Sequence, residues 1–374
     1  MVRRHVSNDS LPGFGVYFHV PFCSVRCGYC DFNTYTAAEL GHGVTRESYI
    51  ESALKELALV PARQVDTVFV GGGTPTQLPA RDLVRFLSEL ERRCGLAPNA
   101  EVTTEANPDS VSLESLTELR EGGFNRISFG MQSAMPHVLN MLDRTHNPAN
   151  IPRAVAWARE AGFEQVSVDL IYGSPTESLD DWRRTVDAAL ELEPDHISAY
   201  ALIVEDGTAF ARKVRRGEVT MPDDEETNAK YLWADESFTA AGLEWYELSN
   251  WAKPGSESRH NLGYWNGSEW WGVGPGAHSF LDGRRWWNVK HPAAYAQRLN
   301  TGESPEADGE VPTAEQRHLE DIMLRLRLRE GIEESSLRNP ERHIESGLLE
   351  RIGDRVRLTL EGRLLADLVT RDVT

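Results

Sequence analysis

Cysteine is scarce in this chain: four in 374 residues, at positions 23, 27, 30 and 94. Four unevenly spaced thiols make no disulfide framework at this length, so a reducing compartment is expected. Long apolar runs are missing too. No segment approaches the roughly 20 apolar residues that cross a bilayer, and residues 1–10 lack the apolar core of a secretion signal. A cytoplasmic home is the expectation, with contact at a membrane surface left open. Positive charge is in deficit, 39 Lys and Arg against 58 Asp and Glu, for a formal net charge of -19. Gripping a nucleic-acid backbone needs a cationic surface, so no nucleic-acid partner is expected. No low-complexity tract or internal repeat stands out, and 40% apolar residues with ten tryptophans supply a core that excludes global disorder.

What is present is concentrated. Three of the four cysteines form Cys23-x3-Cys27-x2-Cys30, directly behind residues 15–20, which read as a strand. Four thiolates close a tetrahedral zinc site or fully ligate a four-iron cluster; three do not. Two readings stay open on the residues alone: zinc with His19 or Asp31 as fourth ligand, or an iron-sulfur cluster with one iron free. Inert buried thiols are disfavoured, because free cysteines scatter through cores and seldom cluster in a loop. Cys94 ends an amphipathic stretch with no second thiol near it in sequence.

Around this motif, β-rich and helical runs alternate. Strands are expected at 15–20, 67–70, 101–105, 126–129, 165–170 and 196–202, with helices at 46–60, 80–93, 113–121, 150–160 and 179–190. Six such steps with near-continuous apolar strands imply a parallel sheet covered by helices. Thr45 and Ser112 can each cap a helix, but Ser48 and Ser115 stand where a capping box wants an acid; Ser178-x-x-Asp181 is a variant of one. In barrels, chemistry gathers at the C-terminal ends of the strands. Those ends carry the three cysteines, Gly71-Gly72-Gly73, Glu105 with Asn107, Gly130 with Gln132, Asp169, and Ser198 with Tyr200. Beyond residue 220 the rhythm changes to an acid-led helix ending near 241, then a Trp- and Gly-rich region over 245–288. Residues 301–310 read as a surface linker, and the tail resembles a winged helix without a basic recognition face.

These motifs carry a resemblance over nearly the whole chain. The cysteine triplet behind the first strand and Gly71-Gly-Gly-Thr-Pro-Thr76 behind the second resemble the radical S-adenosylmethionine superfamily. Within it, His19-Val-Pro-Phe-Cys23, Cys30-Asp-Phe-Asn33 and Arg126-Ile-Ser-Phe-Gly-Met-Gln-Ser133 are similar to the branch holding oxygen-independent coproporphyrinogen III oxidases and HemW-type heme chaperones. The resemblance implies an α/β fold: a partial (β/α)6 TIM-like barrel over 1–220, a helix and Trp/Gly-rich extension over 221–310, and a smaller α+β, winged-helix-like domain over 311–374. It implies that Cys23, Cys27 and Cys30 ligate a [4Fe-4S] cluster whose fourth iron binds S-adenosylmethionine, the family's source of a 5′-deoxyadenosyl radical. Tyr17 and Tyr29 match positions beside cluster and adenine, and Gly72, Gly73 and Thr74 the segment receiving the methionyl amino end. Glu105, Gln132, Arg144 and Asp169 match positions binding ribose and carboxylate of one or two cofactor molecules. For Arg144 the bland alternative is a surface ion pair with Asp143.

A further match, His260-Asn-Leu-Gly-Tyr-Trp265, is similar to the segment associated with heme binding in HemW-type chaperones. It makes His260 and Tyr264 candidate heme contacts; the competing reading is a structural loop packed on Trp270 and Trp271, and His278 is another candidate ligand. Where the oxidase pattern has an extra cysteine two residues past the triplet, this chain has Phe32, and only 22 residues precede Cys23. Both departures are shared by the chaperones. The resemblance therefore implies a heme chaperone that serves an acceptor hemoprotein, docking near a membrane system. Radical decarboxylation of coproporphyrinogen III is the alternative, and a zinc-stabilised regulatory protein is a disfavoured third. Whether S-adenosylmethionine is turned over, and whether the chain acts alone or as a homodimer, stays open.

Overall fold

The computed structural model describes residues 13–40 and 44–374; residues 1–10, read above for a secretion signal, lie outside them. Its middle is six strands hydrogen-bonded in chain order: β1 (Phe14–Val20), β2 (Val65–Gly72), β3 (Leu96–Ala106), β4 (Arg126–Gln132), β5 (Gln165–Tyr172) and β6 (His196–Ala201). Every neighbouring pair is parallel. Helices Arg46–Leu57, Ala80–Cys94, Leu113–Glu121, Ile151–Ala161 and Leu179–Leu190 follow in the expected alternation. This is the α/β architecture of a partial barrel. The helices hold to the sheet through apolar stripes: Leu83, Phe86, Leu87 and Leu90 share one face of their helix, and Phe86 stacks on Phe18 of β1 with centroids 3.9 Å apart.

Two expected capping failures are corrected. Ser48 Oγ accepts from Thr45 N–H at 2.9 Å while Thr45 Oγ1 accepts from Ser48 N–H at 3.2 Å. Ser115 and Ser112 do the same at 2.9 and 3.2 Å. A serine hydroxyl reaches back as a carboxylate would, so both boxes close without an acid.

The sheet continues past the six strands. β7 (Glu244–Glu247) and β8 (Asn250–Ala252) add antiparallel beyond β6, while β9 (Glu269–Val273) lies parallel to β1. From β9, β10 (His278–Leu281), β11 (Arg284–Asn288) and β12 (Glu306–Glu310) complete a twelve-stranded sheet. The stretch expected to be a linker thus ends in an edge strand. It pairs with β11 because its acids meet arginines across the ladder: Glu306 with Arg284, and Glu310 with Arg285 at 2.8 Å. The tail folds helices Ala314–Arg325 and Ala366–Val373 against antiparallel β13 (Ile332–Glu333), β14 (Leu349–Ile352) and β15 (Arg355–Leu358). Its separate core includes Ile322, Leu326, Val356, Leu358 and Val369. Arg363 fastens it to helix Asp224–Ala240, donating to Asp235 Oδ1 at 2.8 Å and lying 4.3 Å over the Trp245 ring. Among the described residues, no helix is long and apolar enough to cross a membrane.

Candidate functional site

The cysteine loop leaves β1 at Pro21 and closes at Tyr35. Tyr35 N–H donates to Pro21 O at 2.7 Å, and Cys23 N–H to Tyr35 O at 3.1 Å. Its far side is anchored at Gly28, whose N–H donates to Leu142 O at 3.3 Å and whose carbonyl accepts from Phe210 N–H at 2.8 Å. All three thiols line one cavity of about 520 Å³ at the strands' C-terminal ends. Burial pushes the Cys23 thiol up to about 11, and the neighbouring Cys30 and Cys27 add to the shift. Burial likewise raises Cys30. Thiols this close give up their protons together only where a cation neutralises them, as in a metal cluster. Among the described residues, no three Cys, His, Asp or Glu side chains close on a single-ion position. His19 is spoken for: Nδ1 lies 2.9 Å from Tyr17 Oη and Nε2 2.8 Å from Asn33 O. That set fits a cluster ligated by three thiols and not a zinc site completed by His19.

Against this loop runs the glycine segment. Gly73 N–H donates to Val20 O and Thr74 N–H to Phe22 O, both at 2.8 Å. A Cβ on Gly73 would stand 2.6 Å from Phe22 O and 3.0 Å from Cys23 Sγ, so only glycine allows the approach. Gly72 N–H donates to Glu105 Oε2 at 3.1 Å. Burial, with the charge of Asp169 behind it, pushes Glu105 up to about 8, so it is mostly protonated at neutral pH. Burial also raises Asp169, whose two oxygens each lie 2.9 Å from Ser128 Oγ. β4 bulges between Gly130 and Gln132, and Gln132 takes φ 62°, an uncommon conformation outside glycine, which turns its amide onto the cavity wall. Arg144 donates to Gly130 O at 3.2 Å and reaches Cys27 Sγ at 3.5 Å. Asp143 is not its partner, being paired with Lys213 at 3.0 Å. Tyr17 and Tyr29 complete the wall, both phenols raised chiefly by burial. Arg144 Nε, Arg126 Nη2 and Thr103 Oγ1 are buried in the cavity-lining residues without a hydrogen-bond partner among the described residues.

The segment with His260 is not a loop but the helix Arg259–Trp265. Its N-terminus rests on Glu101, which accepts from Arg259 N–H at 2.9 Å, His260 N–H at 3.0 Å and Ser258 Oγ at 3.4 Å. A carboxylate there satisfies free N–H groups and meets the positive end of the helix. Gly15, Thr67 and Glu101 stand side by side in register, and the helix lies across them as the cavity floor. His260 is 4% exposed, with Nδ1 2.8 Å from Thr67 Oγ1 and Nε2 2.9 Å from Tyr264 Oη. Burial holds its imidazole at about 3, so it is neutral. Both ring nitrogens are engaged; to meet an iron, the ring would have to give up Thr67 or Tyr264.

The strands depart from the expected continuous apolar runs. Thr103 and Glu105, Arg126 and Ser128, Ser167 and Asp169, and His196 and Ser198 all line the cavity from alternate positions. Their apolar neighbours Val102, Ile127, Val168 and Ile197 are buried in the main core. Arg126, Ser167 and His196 lie at strand starts, away from the ends where barrel chemistry is expected, and period-two alternation is the signal in the sequence that marks them as facing the cavity. Glu101 was missed for another reason, since its partner helix lies more than 150 residues downstream.

The radical SAM superfamily profile matches residues 17–189. The chain is 50% identical over 372 residues to the heme chaperone HemW of Mycobacterium tuberculosis, a match covering 96% of this chain and 95% of that one. The chain belongs to the HemW branch of the radical SAM superfamily. HemW of Bacillus subtilis is 33% identical, over 94% of this chain and 96% of its own. In fold, this HemW-branch chain is similar to coproporphyrinogen III oxidase (HemN) from Escherichia coli, with a TM-score of 0.80 at 22% identity over 96% of this chain and 90% of that one.

Proposed function

We propose that this chain is a heme chaperone that binds heme and passes it to an acceptor hemoprotein. The observation that carries the reading is its identity, along nearly the full length of both chains, with a protein named as a heme chaperone. In this reading Cys23, Cys27 and Cys30 hold a [4Fe-4S] cluster, and S-adenosylmethionine occupies the neighbouring cavity. When bound, the cluster supplies an electron and an open coordination position. The chain's own residues bind and orient. Gly72 and Gly73 let a ligand's polar end approach the backbone, and Thr74 stands beside Cys23. Glu105, largely protonated, donates where an ionised acid would only accept, and Gln132 and Asp169 address hydroxyls. Arg144 brings a fixed positive charge to the thiolates and to a carboxylate. Tyr17 and Tyr29 wall off water.

Residues 1–220 serve as cofactor barrel, 221–310 as the extension that meets heme, and 311–374 as an accessory unit. The separate core of the tail supports that division. Docking at a membrane-associated acceptor and a homodimeric form belong to the same proposal; vesicle flotation and analytical ultracentrifugation test them. For the function itself, protein with an anaerobically reconstituted cluster is loaded with heme and mixed with an apo-hemoprotein, and the acceptor's Soret band is followed. Transfer is expected. Failure to bind heme at all would overturn the reading, and divinyl product from coproporphyrinogen III in a parallel assay would replace it with the oxidase.

A further inference from the structure

A second cavity, of about 410 Å³, opens beside the cluster cavity and shares Tyr17, Phe32, Gly72, Glu105 and Tyr264 with it. Its volume is within the range of about 300–1,000 Å³ typical of small-molecule sites. Phe32, two residues past Cys30, stands in its wall with 58% of its surface exposed, taking no part in the chain's core. From the extension come Trp270 on β9 and His278 at the start of β10.

His278 differs from the other histidines along these cavities. His19, His196 and His260 each have both ring nitrogens within hydrogen-bond distance of a partner. The ring of His278 has no hydrogen-bond partner among the described residues. It is exposed, and it stacks on Trp287 at 5.6 Å and 28°, which orients the imidazole while leaving its nitrogens free. Two cations bear on it. After partial burial, the charges of Lys290 and Arg285 depress its protonation, which keeps a lone pair available at neutral pH. Arg285 is committed to Glu310 and Glu320, at 2.8 and 3.0 Å. Lys290 has no acidic partner among the described residues, and its carbonyl is held by Asn33 and Tyr35 of the cysteine loop at 2.8 and 3.2 Å.

We propose that this slot holds heme, with His278 as the axial iron ligand, the macrocycle lying against Phe32 and Trp270, and Lys290 pairing a propionate. The proposal rests on the heme-chaperone reading and deepens it. An accessible neutral imidazole, flat apolar faces and an unpaired ammonium are the three groups a ferric or ferrous propionate-bearing porphyrin needs. The helix with His260 then has a positioning role. Tyr264 meets Trp270 edge-on at 4.8 Å, and Trp270 Nε1 donates to His278 O at 2.9 Å, so the segment braces the slot from behind.

The test titrates hemin into full-length protein carrying its cluster and reads the Soret band together with the heme's electron paramagnetic resonance. His278→Ala is expected to weaken binding by about 10-fold or more, since loss of even an outer-shell partner costs a metal site about 10- to 100-fold. It should also lose the imidazole signature and regain it with free imidazole. Lys290→Glu should weaken heme but not its dimethyl ester. If His278→Ala loses its circular-dichroism fold, His278→Gln carries the same measurement. Wild-type protein that binds heme while the His278 variants keep its affinity and spectrum overturns the slot and leaves the chaperone reading standing. A histidine signature lost with His260→Ala alone moves the ligand to His260 and likewise overturns it. No heme binding by the wild type removes both.

Discussion

At the scale of single residues, the cysteine loop is held by its backbone, through the bonds at Cys23, Gly28 and Tyr35, and not by its thiols. Cys27→Ser should therefore abolish the visible absorption and reduced-state resonance of the reconstituted cluster while leaving far-UV circular dichroism unchanged; an intact cluster would remove Cys27 from the ligand set. Gly73→Ala acts differently, since its Cβ would fall 2.6 Å from a carbonyl oxygen that belongs to the loop itself. Forcing that overlap should cost about 1–3 kcal/mol in urea denaturation and lower S-adenosylmethionine affinity in equilibrium dialysis. Unchanged affinity would mean that the cofactor's polar end lies elsewhere.

At the scale of elements, the short helix Arg259–Trp265 cannot persist on propensity, because two turns are below the length at which a helix is stable in water. Tertiary contacts hold it, Glu101 first among them. Glu101→Ala leaves two N–H groups and a hydroxyl at the helix start without their acceptor and should destabilise the protein by about 2–3 kcal/mol, read as a lower urea midpoint at constant slope. The His278 slot is braced by this helix through Tyr264 and Trp270, so heme affinity should fall with it. A midpoint equal to wild type would show that the floor is held by packing alone.

At the scale of the whole molecule, the fold buries carboxyl groups that prefer their proton, inside the barrel and between its helices and the extension. Burial is the leading cause for Glu56, Glu177 and Glu247, each raised to about 7, and for Glu105, raised to about 8. A folded-state pKa above the unfolded one means that the folded chain holds protons the unfolded chain has released. Each group's contribution is complete below about 4.5 and lost as pH rises through about 7 to 8, at most about 3–5 kcal/mol apiece. Glu56→Gln should therefore lose less stability than wild type between pH 5.5 and pH 8, measured by urea denaturation of the two apo proteins. Buried histidines oppose this slope: His19 and His146, held at about 4, and His260, held at about 3, are neutral in the fold and add stability as pH rises through about 6.5, so the carboxyl contribution is read as the difference between the two proteins. Parallel profiles for the two proteins would contradict a Glu56 that keeps its proton in the fold.

The loop with three thiols, the β/α order of the barrel and the glycine approach are legible from the residues alone, because ligand spacing, hydrophobic period and the space a Cβ occupies are local properties. Strand ends also led to Glu105, Gln132 and Asp169, and the family resemblance to Arg144; all four line the cavity. Only the tertiary structure decided which histidine keeps a free nitrogen. His260 and His278 look alike in sequence, yet one is bonded to Thr67 and Tyr264 and the other is stacked on Trp287 at the surface. The same holds for the edge strand made from a stretch that reads as a linker, and for the helix capped by a carboxylate from β3. Hydrogen bonds and charge pairs between residues far apart in the chain leave no periodic trace, so they become legible only when the fold brings both partners to one place.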